Sequence, residues 1–80
     1  MNYFTDISSV REMLGKLAEA PDSQIDDKFR KELSHLVTIE TLGSQDVKRA
    51  LDMCVHSSLA SDFVVNVLDI IYKQLKTWNE

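Results

Sequence analysis

The fold class is decided by the C-terminal stretch DFVVNVLDIIYKQLKTW, residues 62–78. Its polar residues recur at intervals of four, three, four and three, as Asp62, Asn66, Asp69, Lys73 and Lys76. That recurrence matches the period of an α-helix, and it outweighs the strand preference of the β-branched residues between positions 64 and 71. Apolar residues cover most of this helix, so we expect it to lie at the centre of a bundle or to be covered by something else.

A first helix is predicted upstream, from about residue 6 to about residue 20. Its apolar stripe consists of Val10, Met13, Leu14 and Leu17. The helix begins either at a capping box from Ser9 to Glu12 or one turn earlier at Asp6, and Pro21 ends it. Gly15 lowers helix propensity, which predicts that a neighbouring helix crosses closely at this position.

A second helix is predicted to start directly from the turn at residues 21–23. One side of it is lined by Ile25, Phe29, Leu33, Leu36 and Val37. Two alternatives remain open for its exit, that is, for its C-terminal end, because residues 38–42 fit either a frayed last turn or an extended link. Gly43 is a suitable residue for a helix stop.

A third helix is predicted to follow, with Ser44 as its cap. Its expected buried side consists of Val47, Leu51, Cys54 and Val55, with Ala50 at the edge. Residues 56–61 read as the next connection, and Ser61 with Asp62 starts the fourth helix.

The sparse glycine and proline content supports a helical fold throughout. Two glycines and one proline in 80 residues are too few for the tight turns of a strand-rich domain. A chain of this length has room for one core, so residues 1–80 are predicted to form a single all-α domain, a small four-helix bundle. The expected core is Leu14, Leu17, Ile25, Phe29, Leu33, Leu51, Val67, Leu68, Ile71 and Leu75.

Net charge and hydropathy exclude several classes of function. Thirteen acidic and nine basic residues give a net charge of −4, which argues against coating nucleic acid or anionic membranes. No apolar run reaches the ~18 residues of a membrane span, and the N-terminus lacks the features of a secretory signal. We therefore expect a cytoplasmic protein.

Enzymatic and metal chemistry find little support in the sequence. Cys54 is the single cysteine, so neither an internal disulfide nor a cysteine-based zinc site is expected. It falls on an apolar helix face, and His56, two positions later, points elsewhere. His35 and His56 lack the spacing that would place two metal ligands on one helix face. We expect no catalytic residues, no cofactor and no metal.

A small dimeric DNA-binding transcription regulator is the alternative function. Lys28, Arg30, Lys31, Lys48 and Arg49 would form its basic patch, where the second and third helices meet. The segment from residue 45 to residue 64 loosely resembles a helix-turn-helix. However, Cys54 occupies the approximate place of the turn glycine, and residues 57–64 contain no Lys, Arg or Gln to reach base edges.

Binding to another protein is the preferred function. The predicted contacts are Glu12, Glu19, Asp22, Asp26 and Asp27 as a charged surface, with Tyr72 and Trp78 as apolar anchors. A partner with a basic surface would be attracted to these acids, as it is for small acidic inhibitors, immunity proteins and regulatory adaptors. Homodimer formation through the fourth helix is also expected to be possible. Alternatively, Tyr3, Phe4 and Trp78 clasp the chain ends over the core.

Overall fold

The computed structural model describes residues 6–55 and 57–78, and within these ranges the chain forms four α-helices. They are α1 (Ile7–Ala18), α2 (Asp27–Thr38), α3 (Ser44–Val55) and α4 (Asp62–Trp78). The predicted all-α four-helix bundle is thereby confirmed. Tyr3, Phe4 and His56, for which the sequence suggested roles, lie outside the described residues.

Asp6 is the N-cap of α1, the earlier of the two predicted starts. Its Oδ1 accepts hydrogen bonds from the backbone N–H of Ser9 at 2.9 Å and from the Ser9 hydroxyl at 3.0 Å. Ser9 therefore lies in the first turn of α1 and is not its cap. The helix ends at Ala18, two residues before the predicted end, and the Ala20 N–H donates back to the carbonyl oxygen of Leu17.

Gly15 does not mark a close helix crossing, so that prediction is wrong. A Cβ built on Gly15 would have no heavy atom from elsewhere in the described residues within 4 Å. Its backbone φ is not positive, so no special conformation requires glycine here. The residue is an ordinary helical position on the surface side of α1.

We expect Gly15→Ala to stabilise the protein by about 0.5–1 kcal/mol. Alanine restricts the unfolded chain more than glycine does, and the added methyl group meets open space. Urea unfolding followed by circular dichroism measures the change. A loss of stability would mean that another part of the chain does approach Gly15 closely.

The start of α2 lies at Asp27, later than predicted. Asp26 is its N-cap, and the Asp26 Oδ1 accepts from the Lys28 N–H at 2.9 Å. Ile25 precedes the helix and forms an antiparallel bridge with Ala60 in the α3–α4 connection. The Asp26 N–H donates to the carbonyl oxygen of Leu59, and the Ser61 N–H donates to the carbonyl oxygen of Gln24, both at 2.7 Å. We call this pairing the loop bridge.

The exit of α2 matches neither predicted alternative over its whole length, because a turn at residues 40–41 follows the extended Ile39. The helix ends at Thr38, and Ile39 has extended backbone dihedrals. Arg11 of α1 holds this link, because its guanidinium donates to the carbonyl oxygens of Val37 at 2.7 Å and Glu40 at 2.8 Å. α1 is thus tied to the far end of α2 by polar contacts as well as by packing.

The buried face of α3 is rotated relative to the prediction. Val47 and Ala50 are fully buried, whereas Leu51 and Cys54 are only half-buried. Val55 was predicted to be buried, but its exposed fraction is 71%. Ser44 was predicted as the cap but is already the first helical residue, and the Asp46 carboxylate accepts from the N–H of Gly43 at 2.9 Å.

The core joins two helical hairpins. The most extensive helix contacts join α1 with α2 and α3 with α4, while α2 and α3 share a smaller contact. Eight of the ten predicted core residues are buried, and Leu51 and Val67 are half-buried. α4 spans residues 62–78 as predicted, and no described helix is both long and apolar enough to cross a membrane.

Candidate protein-binding surface

The predicted acidic contacts are largely balanced by bases of the same chain. The Glu12 carboxylate lies 3.5 Å from the Lys16 ammonium, and both side chains are well exposed. Asp22 and Asp27 both approach the Arg30 guanidinium, at 2.9 and 3.6 Å. Asp26 and Glu19 are exposed and lie at the start of α2 and the end of α1, respectively.

Arg30 is a structural residue that the sequence did not single out as such. Besides pairing with Asp22 and Asp27, its guanidinium donates a hydrogen bond to the carbonyl oxygen of Ala18 at the end of α1. Only 26% of the side chain is exposed. Because helix ends leave carbonyl groups without intrahelical partners, Arg30 satisfies one of them and joins α1 to α2.

The predicted charged and apolar contacts do not form one surface. Asp22 and Asp26 lie at the end of the bundle where the loop bridge joins the two connections, which we call the loop end. Trp78 terminates α4 at the opposite end, ~24 Å along the helix axis from Asp62. Tyr72 is half-buried, and six residues of helical rotation place it on a different side of α4 from Trp78.

A groove between α3 and α4 at the loop end was not anticipated. It is open and has a volume of about 490 Å³. Its walls include Leu51 and Val55 of α3 together with Asp62, Val65 and Asp69 of α4. We call it the α3–α4 groove.

Besides Val55, the large apolar side chain of Phe63 is exposed near this groove. Its exposed fraction is 65%, and it lies in the first turn of α4, beside Asp62 but outside the groove lining. Val55 and Phe63 thus expose apolar area at the end of α3 and at the start of α4. Such area among polar residues is typical of interaction sites.

A polar depression between the two connecting loops adjoins the groove. It measures about 350 Å³ and is lined by backbone and side chains on both sides of the loop bridge, including Asp22, Asp26 and Ser61. Ser58 and Ala60 line both this depression and the α3–α4 groove. The groove and the depression therefore share part of their lining at the loop end, and both have acidic side chains in it.

Cys54 lies in the wall of the groove, and its surroundings suppress thiolate formation. Partial burial raises the pKa of the Cys54 thiol above its ordinary value, because desolvation disfavours the charged form. The thiolate is the nucleophilic species, so this environment lowers the reactivity of the cysteine. Among the residues that the structure describes, no group of three or more metal-ligating side chains comes together.

The raised pKa of Cys54 predicts slow alkylation of the native protein. At pH 8 the folded chain should react with iodoacetamide more slowly than the same chain unfolded in urea. The stability contributed by the neutral thiol is fully present below the pKa of the unfolded chain and is lost as pH rises above it. The free energy of unfolding should therefore fall faster in alkaline solution for the wild type than for Cys54→Ser. Equal alkylation rates in the folded and the unfolded chain would contradict the raised pKa of the Cys54 thiol.

Comparison of the chain with protein-family models, curated proteins and solved structures finds no match to a family, a protein or a structure.

Proposed function

We propose that this protein is a non-enzymatic interaction module that docks on a partner protein with a basic surface. The observation that carries the proposal is the exposure of Val55 and Phe63 beside the α3–α4 groove. Apolar side chains surrounded by polar groups are anchors that a partner can desolvate. An acidic inhibitor, an immunity-type protein and a regulatory adaptor all act through a surface of this kind.

The charge of the loop end supports a basic partner. Asp62 opens α4 there, and Asp22 and Asp26 lie across the loop bridge from it. The whole chain carries a net charge of −4. Opposite charge on the partner would accelerate encounter and orient docking, while apolar contacts would lengthen the lifetime of the complex.

The proposal is tested by comparing variants in affinity capture from the source lysate. Wild type should retain one stoichiometric protein, and the double variant Val55→Ser with Phe63→Ser should lose it. Ile7→Ser is the matched control, since Ile7 is an exposed apolar residue at the other end of α1, 37% exposed. Circular dichroism checks that each variant is folded.

Two outcomes of this experiment would count against the proposal. Capture that survives in the double variant would show that binding does not use the loop end. Failure of wild type to retain any protein, with a monodisperse dimer in light scattering, would assign the exposed apolar residues to self-association.

The alternative DNA-binding function has less structural support than the sequence suggested. Two of its five basic residues are engaged within the chain, because Arg30 pairs with Asp22 and Asp27 and Arg49 pairs with Asp46. The exposed lysines of the patch are Lys28, Lys31 and Lys48. A salt-sensitive shift of labelled DNA by wild type, lost when residues 28, 30 and 31 are changed to glutamate, would favour a regulator. Our proposal predicts no shift at ordinary salt.

A further inference from the structure

The α3–α4 groove has an apolar part and an acidic edge. Leu51, Cys54 and Val55 line it from α3 at the spacing of one helix face, and Val65 lines it from α4. Leu51, Cys54 and Val65 are half-buried, while Val55 is largely exposed. The apolar part of the groove is therefore covered only partly by this chain.

The acidic edge is formed by α4. Asp62 and Asp69 both line the groove, and no lysine or arginine of the described ranges lines it. Asp69 pairs with Lys73 at 2.9 Å but remains 45% exposed, whereas no cation of the described residues pairs with Asp62. The groove therefore presents two accessible carboxylates, which would repel an anionic ligand and attract a cationic one.

The spacing of these carboxylates matches the repeat of a helix. Asp62 and Asp69 are seven residues apart, which corresponds to ~10.5 Å along α4. A ligand helix aligned with the groove presents side chains at positions i and i+7 with the same separation. Apolar side chains at its positions i+1, i+4 and i+8, which form a stripe beside the two basic positions, would then face Val65 and Val55. Two turns of such a ligand helix would extend along α4 from Asp62 to Asp69 with the fold unchanged.

We propose that the α3–α4 groove binds an amphipathic helix of the partner protein, with Lys or Arg of that helix opposite Asp62 and Asp69 and its apolar face on Val55 and Val65. This assignment rests on the proposed protein-binding function and names the element that the site recognises. Helix-in-groove docking is a recurring mode of peptide recognition, in which apolar anchors at helical spacing supply most of the affinity.

The test uses a synthetic amphipathic peptide of 18 residues, built from leucine on one face and lysine on the other. Its affinity for the intact chain is measured by calorimetry at low and at moderate salt. The control peptides have glutamate in place of lysine, or the same leucines and lysines in scrambled order. Only the amphipathic lysine peptide should bind, and salt should weaken its binding.

Two pairs of variants locate the bound peptide. Val55→Ser should lower the affinity by about tenfold, whereas Ile7→Ser, at an exposed apolar position that does not line the groove, should leave it nearly unchanged. Asp62→Asn should lower it by about two- to fivefold, the range of a single exposed ion pair. Asp52→Asn is the matched control, because Asp52 is exposed on α3 but does not line the groove.

Equal binding of the amphipathic and scrambled lysine peptides would overturn the assignment, as would equal effects of Val55→Ser and Ile7→Ser. The proposed function fails separately from this assignment. If no peptide binds but the lysate partner is still lost from the double variant at Val55 and Phe63, the module binds a partner without a basic helix in this groove. If both experiments fail, neither proposal stands.

Discussion

Leu68→Ala is expected to lower the free energy of unfolding by about 2–5 kcal/mol. Leu68 lies in the middle of α4, has no exposed surface and belongs to the core shared by all four helices. Truncation removes the transfer energy of the lost methyl groups and leaves a cavity that helices on several sides cannot fully collapse. Urea denaturation followed by circular dichroism gives the change directly.

Val67→Ala is the matched control for this prediction. Val67 is the preceding residue of the same helix, but it is only half-buried, so its truncation should cost less than that of Leu68. The comparison is therefore sensitive to the rotation of α4 about its axis. Equal losses in the two variants, or a nearly neutral Leu68→Ala, would contradict the face that the structure assigns to the core.

Phe29→Ala is expected to cost about 3–5 kcal/mol, the range measured for buried aromatic residues. Phe29 lies in the first turn of α2 and has no exposed surface. Small domains have total stabilities of about 5–15 kcal/mol, so this variant should show a large fall in its thermal midpoint.

The same substitution at Phe63 separates the effect of burial on stability from the effect of losing an aromatic ring. Phe63 is 65% exposed, and we expect Phe63→Ala to change the stability by no more than about 0.5 kcal/mol. A large loss at Phe63 would mean that its ring is covered in solution, for example by a second copy of the chain. That result would be visible as a dependence of stability on protein concentration.

The helices themselves could be predicted because their signals are local. The polar interval in residues 62–78 is set by the turn of one helix, so α4 was predicted with its observed limits. The Asp6 cap and the stop before Pro21 are equally local, since each acts within a few residues. Most of the predicted core is buried for the same reason, because one periodic stripe per helix identifies the inward face.

The pairing that keeps Ile25 outside α2 could not be predicted from local signals, although the Asp26 cap that starts the helix is itself such a signal. Ile25 fits the apolar stripe of α2, and it is buried as that stripe predicts. Its backbone, however, pairs with Ala60, a residue 35 positions away, so the turn continues to Asp26 before the helix begins. A hydrogen bond between two loops depends on how the hairpins pack, and nothing in the sequence around Ile25 announces it.

The candidate site was missed partly because the sequence of α3 fits more than one buried face. The predicted buried side of α3 contains Val47, Leu51, Cys54 and Val55, whereas a face centred on Val47 and Ala50 fits helical spacing equally well. The structure buries Val47 and Ala50, leaves Leu51 and Cys54 half-buried and exposes Val55, which becomes a groove residue. Side-chain pairing was also beyond sequence reasoning, because Arg30 reaches Asp22 and Ala18 across the α1–α2 connection.

The loop bridge also bears on the order in which the chain acquires its contacts. The α1–α2 and α3–α4 pairs each close over a short connection, so their conformational search is brief and each can form early. The pairing of Ile25 with Ala60 has a much larger sequence separation, and it gains full value only when both connections are already ordered. The same backbone hydrogen bonds that shape the loop end are therefore expected to complete late in folding.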